Sequence, residues 1–163
     1  MHLPTSQKSA VKRILTVKPR WASKLLGGEK TWELQKARRL DRLEENDWVA
    51  IAVSKTGKVF GIVQYSHTEE MQVHRGHEHF ERHQVPPSEL AEYAGKREIL
   101  HAHVFKNPQV FATPVTYTRK NGAVVIVVPT VEDVENFASA ALLCKSSASL
   151  FLEMTKRDGR RPR

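Results

Sequence analysis

The 163-residue sequence has little cysteine and no long apolar segment. Its one cysteine, Cys144, excludes an intramolecular disulfide, and the apolar run 140–144 predicts a buried packing residue in a helix rather than a catalytic thiol. No segment approaches the roughly 20 apolar residues that a membrane-spanning helix needs. The first residues include no apolar stretch of the signal-peptide type, so we expect a cytoplasmic or nuclear protein that is not secreted and does not contact a membrane.

The composition is typical of a folded protein, with 40% hydrophobic and 27% charged residues. Both values lie near the averages for soluble globular proteins, which argues against the disordered and membrane classes. A chain of this length fits one domain that buries roughly 70% of the surface of its unfolded chain. We therefore expect one folded domain, a monomer that uses no cofactor.

Positive charge is concentrated in two segments. Residues 8–42 contain eleven Lys or Arg against three acids, which is +8, and residues 156–163 add +4. Residues 43–155 carry −4, so the formal net charge of +8 is not spread over the whole chain. This asymmetry indicates a polyanionic partner such as a nucleic acid, to which the basic tail would add nonspecific attraction. The alternative is a solvated basic face that has no partner.

The first basic segment contains a strand followed by a helix. The β-rich run 14–17 predicts the strand, and Pro19 is suited to the first turn of a helix. Apolar residues at helical spacing in 20–26 predict the helix itself. Gly27 and Gly28 then form a typical helix C-terminal signal.

Residues 30–36 alternate between apolar and polar side chains, which predicts a strand. Trp32 and Leu34 lie on one side of it. The other side carries a polar row of Thr31, Glu33 and Gln35.

The rest of the chain predicts short strands joined by turns. They are expected at 48–53, 59–66, 99–105, 115–118 and 123–128. Asn121-Gly122, the strongest hairpin signal, joins the last two. The polar, His- and Glu-rich residues 67–97 predict an insertion with a short helix from Ser88, as N-cap, to Ala94. Thr130 and Asp133 resemble a capping box that starts a helical segment reaching about residue 154.

These elements predict an α+β fold, mainly β: a small, mostly antiparallel barrel with peripheral helices. The barrel is expected to span 13–129 and to contain 67–97 as an insertion. The helical segment 130–155 should pack on it, and 1–12 and 156–163 should form flexible termini.

The runs ILTVKPRWA at 14–22 and LLGGEKTWEL at 25–34 resemble the opening of an ASCH domain, a family in the PUA-like superfamily of β-barrels. The signature of that family is Gly-x-Lys-x-x-Glu-x-Arg after the first helix, here 28–35, with Gln35 where Arg is usual. The later segment 107–128 is similar to the closing portion of PUA-like barrels. The resemblance covers roughly 13–128.

The resemblance implies a cleft beside the first helix that holds RNA or another single-stranded nucleic acid, with RNA favoured over DNA and a modified base as a candidate ligand. Cations there would neutralise phosphates, and the polar row would read a base edge. The candidate binding residues are Lys18, Arg20, Trp21, Lys24, Lys30, Thr31, Glu33, Gln35, Arg38, Arg39, Ser54 and Lys55.

Several of these residues also have purely structural interpretations. Glu33 can pair with a neighbouring Lys or Arg, and Thr31 can be an ordinary strand residue. Trp32 is expected in the core because it shares its side of the strand with Leu34. Trp21 is suited either to stacking on a base or to packing of the helix on the barrel.

Two other functions stay open. Some ASCH proteins hydrolyse acetylated cytidine with a Lys and a Thr three residues later, but here Lys30 is followed by Glu33 at that spacing, and the nearby hydroxyl belongs to Thr31. A ribonuclease, also known in the family, would use Glu33 as general base beside Lys30. The third function is docking of an acidic protein partner, as in transcriptional coactivators that carry ASCH domains.

Histidines are the weakest chemical candidates in the sequence. Four of them fall within ten residues, at His74, His77, His79 and His83, and such spacing can bind zinc. No cysteine joins them, and charged residues surround them, so we expect a solvated polar segment without a metal. His101 and His103 share one face of a strand and are expected to be structural or exposed.

Overall fold

The computed structural model describes residues 10–38, 40, 42–119 and 125–143. The strands are β1 (Val11–Val17), β2 (Trp32–Gln35), β3 (Trp48–Val53), β4 (Lys58–Gln72), β5 (Ile99–Thr116) and β6 (Ile126–Val127). The helices are α1 (Pro19–Gly27), α2 (Phe80–His83), α3 (Pro87–Ala94) and α4 (Val131–Ala141), and a 3-10 helix spans Val73–His79. None of these helices is long and apolar enough to span a membrane.

Six strands form one sheet in the order β2-β5-β4-β3-β1-β6. Only the β1–β3 pair is parallel among the described strands, and the others are antiparallel. The α+β class is therefore confirmed. Closure into a barrel is not seen, because β2 and β6 are the two edges and no described hydrogen bond joins them. These edge strands have only four and two residues, which leaves little backbone for closing the sheet.

Helix α1 and helix α4 cover opposite faces of the sheet. On one face Leu15 and Ile51 pack with Leu25 and Leu26 of α1. A side chain at Gly61 would collide with Gln109 and Leu26, so this glycine permits the close approach of α1 to the sheet.

The opposite face has its own core, in which Ile14 and Phe111 pack with Phe137 of α4. A third cluster packs Trp32 and Leu34 of β2 against Leu90 of α3. Each helix thus fixes one part of the sheet.

Several elements match their predictions. Helix α1 begins at Pro19 and is capped by Gly28 with a φ of +82°, and β3 has the predicted bounds. Thr130 and Asp133 form the predicted capping box of α4. Helix α4 ends at Ala141, and residues 142 and 143 are not helical, so the predicted helix to about residue 154 is interrupted there. The Asn121-Gly122 turn, Cys144, Arg39, residues 144–155 and the basic tail lie outside the described residues.

Other boundaries were predicted wrongly. Strand β4 continues to Gln72, six residues into the predicted insertion, because it pairs with β5 along this length. The predicted strand 99–105 and the first two residues of the predicted strand 115–118 belong to the single strand β5, which ends at Thr116 and whose bulges absorb the irregular segment between them. Ser88 is not the N-cap of α3: the helix begins at Pro87, where a proline at N1 takes the place of a side-chain cap.

Candidate nucleic-acid interface

The junction of β1 and α1 gathers exposed cations where the interior strands β1 and β3 end, and we call this region the α1 edge. The backbone N–H of Ser54 donates to the Val17 carbonyl at 2.9 Å, because β1 and β3 run parallel and end side by side. This contact places Ser54 and Lys55 next to Lys18. Lys18 and Lys55 are exposed, as expected for groups that contact phosphates.

Trp21 lies on α1 at this edge and is half-buried. The Arg20 guanidinium lies 4.3 Å from its ring centroid, and the Lys30 ammonium lies 5.0 Å from it. Arg20 also pairs with Glu89 at 2.7 Å. Trp21 therefore packs on the core and presents a cation-flanked aromatic ring, so the two interpretations from the sequence are compatible.

Lys30 and Glu33 form a buried ion pair with 3.7 Å between Nζ and Oε2. Their side chains are 2% and 16% exposed. Burial lowers the pKa of Lys30 below its usual 10.5, and the Glu33 carboxylate opposes this shift. Burial likewise raises the pKa of Glu33 above its usual 4.5, opposed by Lys30. Desolvation dominates both side chains, so each charge is held at a cost in stability.

Lys30 is not the exposed phosphate-neutralising cation that its sequence position suggested. Its ammonium points inward and donates to the His83 carbonyl at 2.6 Å. The half-buried Thr31 donates its backbone N–H to the Arg82 carbonyl at 2.9 Å, and its own carbonyl accepts from the Phe105 N–H at 2.8 Å. Residues 30 and 31 are therefore hydrogen-bonded to the α2 segment on one side and to β5 on the other.

Lys24, a candidate binding residue, and the neighbouring Trp32 are both less accessible than Lys18 and Lys55. Lys24 is partly buried, with its ammonium 3.5 Å from the Gln84 side-chain oxygen. Trp32 is 4% exposed and belongs to the core, as predicted. Arg82 and His79 lie against its ring at 5.1 and 4.9 Å. Trp32 thus cannot stack on a base.

A continuous polar face runs across β2, β5 and β4. Glu33 lies opposite His103, which lies opposite Thr68. Residues directly opposite each other in antiparallel strands project from the same face. Gln35, His101 and Glu70 form a second such row beside the first.

The first row contains a chain of hydrogen bonds. Tyr65 Oη lies 2.6 Å from Thr68 Oγ1, which lies 2.8 Å from His103 Nδ1. His103 is fully buried, and burial, reinforced by His101, lowers its pKa to about 4, while the Ala37 carbonyl opposes the shift. His103 is therefore neutral at physiological pH.

Three buried side-chain atoms in the described part of the chain have no hydrogen-bond partner, and all three lie on this face. They are Glu33 Oε2, His103 Nε2 and His101 Nδ1. Buried polar groups in native proteins are nearly always paired. Glu33 Oε2 lies 3.7 Å from the Lys30 ammonium, so the two imidazole nitrogens are the atoms of this set that lack both a hydrogen bond and an ion pair.

A cleft of about 770 Å³ opens on this face of the sheet. Arg38 and Arg42 line it from the loop after β2, and Tyr65, Thr68 and His101 line it from the strands. Three carboxylates, those of Glu45, Glu69 and Glu70, line it as well, so the cleft carries both signs of charge. Tyr65 shares a core cluster with the helix α1. The cleft and the α1 edge are therefore on the same side of the sheet.

Sequence reasoning missed most of the cleft. Arg38 was predicted, but Tyr65, Thr68 and Arg42 were not. His101 and His103 were predicted to share a face, which is confirmed, but their partners depend on the register of β4 against β5. A one-residue bulge after Tyr65 sets that register, and no pattern in the sequence indicates it.

The four clustered histidines do not converge in the structure. His83 is buried, with Nε2 on the Gly76 carbonyl and Nδ1 accepting from the Val85 N–H, so neither nitrogen is available to a metal. His74 and His77 are exposed. No group of three or more potential metal ligands occurs among the described residues.

Comparisons with known proteins identify the fold. No family model and no curated protein sequence matches the chain. Among solved structures, an ASCH protein from Zymomonas mobilis is similar with a TM-score of 0.65 at 14% identity, over 83% of this chain and 96% of that one.

Two variants of the same Zymomonas mobilis protein match as well. A serine-to-alanine variant gives a TM-score of 0.66 over 80% of this chain and 96% of that one. A tyrosine-to-phenylalanine variant gives 0.65 over 83% and 99%. Both are 14% identical in sequence to this chain, an identity at which likeness establishes fold alone. The chain therefore has the ASCH-domain fold.

Proposed function

We propose that this protein binds RNA, or another single-stranded nucleic acid, across the sheet face that carries α1 and the cleft. The observation that carries the proposal is the cleft itself: two arginines, Arg38 and Arg42, lie at a cavity that is lined by hydroxyl, imidazole and carboxylate groups. Its volume of about 770 Å³ is enough for a nucleotide. The same face presents Trp21 with cations beside its ring.

The charges and the polar groups have different tasks in this proposal. Lys18, Lys55 and Arg38 are exposed and would contact phosphates, which supplies affinity without sequence preference. Trp21 would stack on a base at the α1 edge. The hydroxyl and imidazole groups of the cleft would read the edge of a second base. Single-stranded nucleic acid is favoured because a base in a duplex cannot enter the cleft.

A hydrolase is the second candidate, favoured by one observation. The carboxylate of Glu33 has a raised pKa beside a buried Lys30, which is the arrangement that a general base and an electrostatic stabiliser require. Breakdown of RNA during the binding experiment, abolished by Glu33→Gln, would support it. Intact RNA after prolonged incubation would contradict it.

Fluorescence anisotropy with labelled RNA and DNA oligonucleotides at low salt tests the binding proposal. We expect binding by the unmodified protein and about tenfold weaker binding by Trp21→Leu, which keeps an apolar contact with the core but removes the stacking surface. Trp21→Phe should retain most of the affinity. Arg38→Ala should weaken binding, whereas Arg75→Ala, at an exposed arginine of the 3-10 helix, should not.

Two results would overturn the proposal. One is a lack of binding to any oligonucleotide at low salt by the folded protein. The other is equal affinity of the unmodified protein and Trp21→Leu together with equal affinity of Arg38→Ala and Arg75→Ala.

A further inference from the structure

The Arg20 side chain at the α1 edge contacts two partners within the protein. Its guanidinium lies 4.3 Å from the centre of the Trp21 ring, and its Nη1 donates to Glu89 Oε1 at 2.7 Å. The second contact joins α1 to α3 across 69 residues of sequence. A distance of 2.7 Å is typical of a charge-assisted hydrogen bond. A carboxylate of another helix therefore holds Arg20 over the Trp21 ring.

Both groups that meet at this contact belong to the proposed nucleic-acid site. The Arg20 side chain is 48% exposed, so its guanidinium covers Trp21 on a side that faces solvent. A base that stacks on that side has to displace it. Lys18 and Lys55, by contrast, form no ion pair with a carboxylate in the described part of the chain. Arg20 and Trp21 are thus already occupied in the absence of nucleic acid.

The carboxylate of Glu89 opposes binding of a phosphate to Arg20. A guanidinium binds a phosphate best through two parallel N–H donors, and Glu89 already uses Nη1. A phosphate that bound the remaining N–H groups would lie close to the Glu89 carboxylate, and like charges at such distances repel each other even in water. Removing the charge of Glu89 should therefore strengthen binding, whether the phosphate replaces the carboxylate or lies beside it.

We infer that Glu89 limits the affinity of the proposed site, because it occupies Arg20 in the free protein and releases it to a phosphate of the bound strand. The inference rests on the proposed function, since it names a residue that controls the same site. Glu89 is a positioning residue that acts on the nucleic acid through Arg20. Its side chain is 44% exposed and can be solvated after release, so the exchange of partners costs little.

Anisotropy titrations of Glu89→Gln with labelled single-stranded RNA test the inference. Glutamine keeps the shape of the side chain and an acceptor for Arg20 but removes the charge. We expect about threefold tighter binding at low salt, a factor within the range of an exposed ion pair. We also expect the slope of log affinity against log salt to increase by about 0.7, because Arg20 then makes a full phosphate contact.

Glu78→Gln is the matched control. Glu78 pairs with Arg75 at 3.0 Å on the 3-10 helix, and both side chains are exposed to a degree similar to those of Arg20 and Glu89. This variant also removes one negative charge and frees one arginine, but not at the α1 edge. Its affinity and salt slope should equal those of the unmodified protein.

A double variant shows whether Glu89 acts through Arg20. In an Arg20→Ala background the guanidinium is absent, so adding Glu89→Gln should change neither the affinity nor the salt slope. Circular dichroism of each variant verifies that it is folded.

The outcomes separate the inference from the function on which it rests. Failure of the unmodified protein and of Glu89→Gln to bind RNA at low salt contradicts nucleic-acid binding itself, and the inference falls with it. Equal affinity and slope of these two proteins, when both bind, overturn the inference alone. A similar gain in Glu78→Gln, or a gain that persists without Arg20, also overturns it, because the RNA would then respond to net charge.

Discussion

Lys30 and Glu33 form an ion pair whose burial disfavours the charged form of both side chains. Each side chain is largely buried, and the pKa of each is shifted toward its neutral form. A chain selected for stability alone would place apolar residues at such positions, since a buried ion pair rarely stabilises relative to well-packed hydrophobic side chains. Charge retained at this cost is what the proposed hydrolase role of the pair would require.

The raised pKa of Glu33 predicts how stability depends on pH. The folded protein holds this proton more tightly than the unfolded chain, so the free energy of unfolding should fall as pH rises from about 4.5, the usual value, through the raised pKa. Glu33→Gln resembles the protonated form at all pH values. We expect the difference in unfolding free energy between this variant and the unmodified protein to grow in favour of the variant between pH 4.5 and 7.

Urea denaturation across that pH range makes the measurement. Glu29→Gln is the control, because Glu29 is exposed in the adjacent loop, and its stability should follow that of the unmodified protein. A stability difference for Glu33→Gln that is independent of pH would show that burial does not perturb this carboxylate.

Individual residues were predictable where the local pattern alone decides their place. Alternation identified Trp32 as a core residue, and it is 4% exposed. The burial of Lys30 was not predictable, because its cover is provided by His83, more than fifty residues later in the chain. The same holds for Thr68 and His103, which meet only through the register of two long strands.

At the scale of elements, α4 is fixed to the sheet by one carboxylate. Asp133 completes the capping box with Thr130, and its Oδ1 also accepts from the Thr118 N–H at 3.0 Å. It is 3% exposed. One side chain therefore satisfies the start of the helix and the chain just beyond the end of β5.

This double role predicts unequal costs for the two capping residues. Thr130→Ala should lower the free energy of unfolding by about 1 kcal/mol, the usual value of an N-cap. Asp133→Ala should cost about 2 kcal/mol, because two backbone N–H groups lose their acceptor in a buried setting. Urea denaturation of both variants, with exposed Glu132→Ala as control, makes the comparison. Equal losses for Thr130→Ala and Asp133→Ala would contradict the tie to Thr118.

Elements with their own boundary signals were predictable, and those defined by pairing were not. Pro19 and Gly28 mark the ends of α1, and Thr130 starts α4. By contrast, β4 and β5 continue through polar and proline-containing sequence because each hydrogen-bonds to the other. The length of these two strands is set by their pairing in the folded protein, and the strand propensity of the individual residues does not predict it.

At the scale of the whole molecule, the strand order brings cations that are separate in sequence together at the α1 edge. The excess of +8 in residues 8–42 would be spread along an extended chain. In the fold, the parallel pairing of β1 with β3 brings Lys55, which lies outside that segment, next to Lys18. The loop between β2 and β3 places Arg38 at the cleft. Residues 43–155 carry an acidic balance, and three of their carboxylates, Glu45, Glu69 and Glu70, line the cleft, so the attraction for a polyanion is centred on the cations of the α1 edge.

This arrangement predicts a measurable salt dependence of RNA binding. For single strands, each phosphate contact adds about 0.7 to the slope of log affinity against log salt. We expect Lys18→Ala combined with Lys55→Ala to reduce the slope by about 1.4, because both ammonium groups lie together at the exposed edge. Lys12→Ala combined with Lys96→Ala removes the same charge from elsewhere in the molecule, with Lys12 near the opposite end of β1 from Lys18, and should leave the slope almost unchanged. Equal reductions in the two double variants would mean that the polyanion responds to net charge alone and does not track this edge.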